Sequence, residues 1–150
     1  MAATTKQASG VETTLEIRRL IPAPRQRVFD AWTNAKELDR WSAPGPMTAR
    51  AEVDLRVGGR YRLTMRGPDG VERRVGGVYR EIDPPAKLVY TWKWEESAMP
   101  DSVVTVEFHD RGKQTEVVLR HDGLVDPDSR ARHEHGWNGC LDKLVALEKA

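Results

Sequence analysis

The chain has 150 residues and carries 24 Lys and Arg against 23 Asp and Glu, a formal net charge of +1. That length suits one domain with its own core, and the charge balance excludes a globally basic nucleic-acid binder and an acidic tail protein. A single cysteine, Cys140, excludes an internal disulfide framework and points to a reducing, cytoplasmic setting. No apolar run approaches the ~20 residues that span a bilayer, and Met1 to Gly10 lacks the apolar stretch of a secretory signal. Only 39% of the residues are hydrophobic, yet five are tryptophans: Trp32, Trp41, Trp92, Trp94 and Trp137.

Residues 1–12 are polar and aperiodic and read as a disordered lead-in, which leaves 13–150 as the domain. Thr13 to Ile21 alternates loosely and reads as a first strand, stopped at Pro22. Pro24 opens a helix whose apolar stripe is Val28, Phe29 and Trp32. Asn34 with Glu37 three residues on resembles a capping box for a second short helix, with Leu38 and Trp41 on its apolar side. Pro44-Gly45-Pro46 ends it.

Strands follow. Thr48 to Val53 is the first of them, and Gly58-Gly59 turns the chain. Arg60 to Arg66 alternates cleanly, with Tyr61, Leu63 and Met65 on one face and arginines and Thr64 on the other. Gly67-Pro68-Asp69-Gly70 turns it again. Glu72 to Ile82 is a strand in which Gly76-Gly77 predicts a bulge or sharp bend. Beyond Asp83-Pro84-Pro85 come three alternating runs. Leu88, Tyr90, Trp92 and Trp94 share one face, then Val104, Val106 and Phe108, then Val117, Leu119 and His121. Asp126-Pro127 opens a final helix that reaches about Glu148, with Trp137, Cys140, Leu141 and Leu144 on its apolar face. Gly136 and Gly139 interrupt it at about 1 kcal/mol each against Ala. They predict something bulky close to its backbone. An antiparallel sheet has one apolar face to cover, and this helix is the element long enough to cover it. The class is α+β.

Several segments in this order carry a resemblance. They are Ile21-Pro22-Ala23-Pro24 with Val28 to Trp32, Leu38 to Trp41, and Gly58-Gly59-Arg60-Tyr61. Glu81 to Pro85 with Leu88 to Trp92 follows, and then Gly136-Trp137 with Leu141 to Leu144. Together they resemble the START-like (SRPBCC) superfamily, in the branch named after the activator of the ninety-kilodalton heat-shock-protein ATPase. The resemblance covers about residues 13 to 148. It implies a helix-grip fold: a curved antiparallel sheet wrapped around the long C-terminal helix, two short helices after the first strand, and a cavity between sheet and helix. It also brings a chaperone-linked, stress-related role and a cyclase or dehydratase role into consideration. Fold alone decides between none of these.

The apolar strand and helix faces point at each other and either fill a core or line a cavity. The residues placed there are Trp41, Tyr61, Leu63, Met65, Tyr90, Trp92, Trp94, Val106, Phe108, Leu119, Trp137, Cys140 and Leu141. His121 shares a strand face with Leu119, and His133 lies one helical turn before Trp137, so these two are the polar groups expected to reach the same space. His133 and His135 point about 200° apart on a helix, and His133-Glu134-His135 misses the H-E-x-x-H spacing. No metal-ligand set, phosphate loop or nucleophile motif is present, so no cofactor is expected and no catalytic residue is assigned. Cys140 has neither a base one turn before it nor one after it, and reads as a small buried hydrophobe. Arg60, Arg62, Arg66, Arg73 and Arg74 read as a solvated strand face, balanced by acids such as Glu72, Glu81 and Glu107. The expected partner is a small apolar or amphipathic molecule, with a chaperone as the alternative. An enzyme using His121, His133 and Tyr61 or Tyr90 is the third reading, ranked below binding. An exposed sheet edge leaves monomer and homodimer both open.

Overall fold

The computed structural model describes residues 14–149; the lead-in expected over 1–12 lies outside them. Seven strands form one antiparallel sheet: β1 (Leu15–Ile21), β2 (Thr48–Val53), β3 (Arg60–Arg66), β4 (Glu72–Asp83), β5 (Lys87–Trp94), β6 (Ser102–Arg111) and β7 (Gln114–Asp122). Their order across the sheet is β1-β7-β6-β5-β4-β3-β2. Two short helices, α1 (Arg25–Thr33) and α2 (Ala35–Trp41), join β1 to β2, and α3 (Pro127–Lys149) closes the chain. The sheet curls around α3, which is the helix-grip arrangement expected.

Local chemistry accounts for the element ends. Pro24 is the N-cap of α1 rather than its first helical residue. The Asn34 side chain accepts from the Lys36 and Glu37 backbone N–H groups and caps α2. The box is not reciprocal, because the Glu37 carboxylate turns to Arg27, 2.8 Å away. Arg27 also takes Glu148 of α3 through two nitrogens, at 3.0 and 3.1 Å, and so joins all three helices. Asp126 accepts from the Ser129 N–H and caps α3. Arg19, on the otherwise apolar side of β1, reaches Asp142 and Asn138 of α3 at 2.7 and 2.9 Å. The N–H of Ala51 on edge strand β2 donates to the Asp39 carboxylate of α2, so a side chain occupies a donor that another strand would use.

A register shift does occur in β4, between Tyr79 and Glu81 rather than at Gly76-Gly77, and the glycines serve a different purpose. The β4–β5 pairing runs to Gly76↔Lys93, resumes at Tyr79↔Tyr90, and shifts register before Glu81. In the gap, side chains replace the ladder. Thr91 Oγ1 accepts from the Val78 N–H at 2.8 Å, and the Tyr61 hydroxyl donates to the Thr91 carbonyl at 2.5 Å. A Cβ on Gly76 would lie 2.6 Å from the Tyr61 carbonyl oxygen, and one on Gly77 would meet the Thr91 carbonyl group. Two adjacent glycines let three strands approach this closely.

The main core lies where α1 and α3 cover β1, β7 and β6. Phe108 packs edge-on to Phe29, with centroids 5.3 Å apart, and to Trp32 at 5.7 Å. Val104, Val106, Val117, Leu119, Leu141 and Leu144 are buried around them. Toward β5, β4 and β3 the sheet curls away from the helix and open space appears between the layers, although Trp92 of β5 still meets Trp137 of α3 with centroids 5.0 Å apart.

Candidate functional site: an aromatic cavity between sheet and helix

The curl leaves a cavity of about 280 Å³. Its sheet wall is Tyr61, Leu63 and Met65 of β3, Tyr79 of β4, and Tyr90, Trp92 and Trp94 of β5. The α3 wall is His133, Gly136, Trp137 and Cys140, and Trp32, Leu38, Trp41, Pro44 and Met47 close the third side. Period-two alternation puts the strand residues on one face, and the one-turn spacing His133–Trp137 with Cys140 does the same on the helix.

Ten of the residues expected at this space line it: Trp41, Tyr61, Leu63, Met65, Tyr90, Trp92, Trp94, His133, Trp137 and Cys140. Five do not. Val106, Phe108, Leu119, His121 and Leu141 are fully buried in the main core, behind the cavity wall. They lie on the correct faces of their elements, but Phe29, Trp32 and the aromatic wall itself stand between them and the open space.

The two glycines of α3 differ. A Cβ on Gly139 would fall 2.8 Å from Pro44 Cβ, so close backbone approach does explain that glycine. The Lys143 ammonium supports the same contact by donating to the Ala43 and Met47 carbonyls on either side of Pro44. Nothing lies within 4 Å of a Cβ built on Gly136. The bulky neighbour expected there is absent, and Gly136 widens the cavity instead.

Polar groups around the cavity are mostly satisfied by one another. The Trp137 indole N–H donates to His121 Nδ1 at 3.1 Å, which leaves the His121 proton on Nε2, 2.7 Å from Ser102 Oγ. Ser102 in turn donates to the Trp92 carbonyl at 3.1 Å. The Trp94 indole donates to His133 Nε2 at 3.1 Å, and His133 Nδ1 donates to the Ser129 carbonyl at 2.7 Å. Both imidazoles are therefore neutral, each with a fixed tautomer, and their centroids are 5.1 Å apart. Burial pushes the His121 pKa down to about 3, with His133 beside it adding to the shift; burial lowers His133 as well. Burial raises the Tyr61, Tyr79 and Tyr90 hydroxyls above their ordinary range. It pushes the Cys140 thiol up to about 12, so Cys140 stays protonated at neutral pH. One polar atom is left over. The Nε1–H of Trp92 is buried and has no hydrogen-bond partner among the described residues.

The sequence matches the family model for Activator of Hsp90 ATPase homolog 1-like protein over residues 22–149. The chain belongs to that family. Solved structures show the same fold. A protein from Chromobacterium violaceum is 26% identical with a TM-score of 0.85, the match covering 92% of this chain and 98% of that one. A protein from Nitrosomonas europaea is 26% identical with a TM-score of 0.78, over 93% and 96%. A Plasmodium falciparum protein described as an HSP90 activator is 29% identical with a TM-score of 0.72, over 90% and 95%. No curated protein matches the sequence.

Sequence reasoning about this family member missed several wall residues. Tyr79 follows Gly76-Gly77, where no side chains carry the alternation that would set its phase. Trp32, on the apolar stripe of α1 as expected, packs on Phe108 and also reaches the cavity, donating to the Tyr90 hydroxyl at 3.2 Å. Pro44 and Met47 sit in an aperiodic segment with no pattern to read. Arg132 carried no signal at all, and Arg73 was grouped with the solvated arginines. In that group Arg62 forms a two-pronged pair with Glu95 at 2.7 and 2.9 Å, and Arg74 pairs with Glu72 at 2.8 Å. Glu81 and Glu107 pair elsewhere, with Lys87 and His109.

Proposed function

We propose that the chain is a binding protein for a small apolar or amphipathic molecule, held in the cavity between β3–β5 and α3. The observation that carries this reading is the cavity lining. Aromatic side chains of β3, β4 and β5 on one side and of the three helices on the other surround open space. A concave, mostly apolar site with a few converging polar groups is the usual form of a small-molecule site.

The neutral probe N-phenyl-1-naphthylamine tests this directly. Its emission rises in an apolar site, and the five tryptophans serve as donors for energy transfer to it. Saturable binding at one probe per chain is the expected result. A titration with no saturation would remove the reading.

A second reading has its own support. The family description refers to activation of the Hsp90 ATPase, and the Plasmodium falciparum neighbour is described as an HSP90 activator. On this reading the chain contacts a chaperone and the cavity is incidental. It predicts a change in chaperone ATPase rate on addition of this chain, whether or not the cavity is filled.

A further inference from the structure

The polar groups at the cavity mouth are of one kind. A second groove of about 570 Å³ adjoins the cavity, and five residues line both: Arg73, Trp92, Trp94, Arg132 and His133. They mark the junction of apolar interior and surface. Two carry guanidinium groups, Arg73 on β4 and Arg132 on α3, and neither makes an ion pair or hydrogen bond among the described residues. The acids of the groove are already engaged. Glu72 pairs with Arg74, Glu96 accepts from the Arg74 N–H, and Asp126 caps α3. The Trp94 indole is committed to His133, and both His133 nitrogens are in use. Among the five shared residues the uncommitted polar groups are therefore the two guanidinium cations, both donors. Deeper in, the Tyr90 hydroxyl accepts from Trp32 and retains its own proton to donate.

We infer that the site selects an anionic amphiphile, with its apolar body in the aromatic cavity and a carboxylate head at the mouth against Arg73 and Arg132. The inference rests on the reading of the cavity as a small-molecule site and adds the charge of the occupant. A carboxylate accepts only, and it matches the planar donor fork of arginine with two parallel hydrogen bonds. An amine-headed molecule of the same shape would meet two like charges at that point. The apolar rim of the groove, Val71, Met99 and Val125, is exposed and would border the part of such a chain that emerges.

Calorimetric titration near neutral pH with decanoate, decan-1-ol and decyltrimethylammonium tests it, on the wild-type chain and on the double variant Arg73→Gln, Arg132→Gln. Both arginines are exposed, so the variant should unfold at the wild-type temperature. Wild type should bind decanoate at least about tenfold more tightly than decanol, with decyltrimethylammonium weakest. The variant should lose that advantage while keeping its decanol affinity. Added salt should weaken decanoate binding and leave decanol unchanged. Equal affinities for decanoate and decanol, or a decanoate affinity unaffected in the variant, would overturn the charge selection and leave the cavity reading standing. Failure of all three to bind would remove both.

Discussion

Replacing Gly77 with alanine is expected to cost at least about 3 kcal/mol, the range of single changes that force backbone to move. The added methyl has nowhere to go. It would lie 2.6 Å from the Thr91 carbonyl carbon and closer still to its oxygen. Relief means parting β4 from β5, which breaks the Val78 N–H bond to Thr91 Oγ1 and the Tyr61 hydroxyl bond to the Thr91 carbonyl. Tyr61, Tyr79 and Tyr90 pack as a cluster with centroids 5.2 to 6.2 Å apart, and all three line the cavity. The damage should therefore extend from stability to the site. Urea unfolding of wild type and variant measures it; a loss below about 1 kcal/mol would show that the sheet does not need this close approach.

Acid should destabilise the fold well before its carboxylates titrate. His121 is fully buried and neutral, with a pKa of about 3 in the folded chain against about 6.5 in the unfolded one. Between those values the unfolded chain binds a proton that the native chain refuses. The stability is therefore fully present above pH ~6.5 and falls as the pH drops toward 3, by about 1.4 kcal/mol per pH unit. From pH 7 to pH 5 the loss from this one residue is about 2 kcal/mol. His133 shifts in the same direction and adds to the slope. The geometry gives the reason. Protonating Nδ1 of His121 requires expelling the Trp137 N–H, and the imidazolium would sit among Trp92, Trp137 and His133 with no carboxylate in reach of a hydrogen bond. Stability measured at pH 5, 6 and 7 in wild type and in His121→Asn separates this effect from general acid sensitivity. The variant should be less stable at pH 7 and markedly flatter with pH. An undiminished slope would place the acid sensitivity elsewhere.

These two residues also show what was legible in the sequence. Gly76-Gly77 inside an alternating strand marks a special point, because glycine there forfeits packing; the structure makes it a close approach of three strands, with the register shift beyond it. The pattern of Tyr61, Leu63 and Met65, and that of Leu88 to Trp94, fixes which side chains share a face, since a strand has only two. What alternation does not contain is the distance to the opposite layer. His121 and Leu119 point the same way as the cavity residues of β5, yet the first stands behind Trp137 and the second deep in the main core. The wall residues from Pro44 and Met47 depend on how a loop folds over α3, held by Lys143, and no period marks that. Arg73 and Arg132 lie far apart in the chain and become neighbours of one cavity mouth only in the folded arrangement of sheet and helix. Gly136 and Gly139 look alike in the sequence. One admits Pro44 and the other admits nothing.

That open position gives the most direct test of the account. Leucine at Gly136 would project its side chain into the cavity, where no atom of the fold lies within 4 Å of the first added carbon. It would also remove a helix-interior glycine, worth up to about 1 kcal/mol. The account predicts that Gly136→Leu unfolds at or above the wild-type temperature and binds N-phenyl-1-naphthylamine at least about tenfold more weakly. A variant that keeps both its stability and its wild-type affinity for the probe would contradict the claim that the cavity is the binding site.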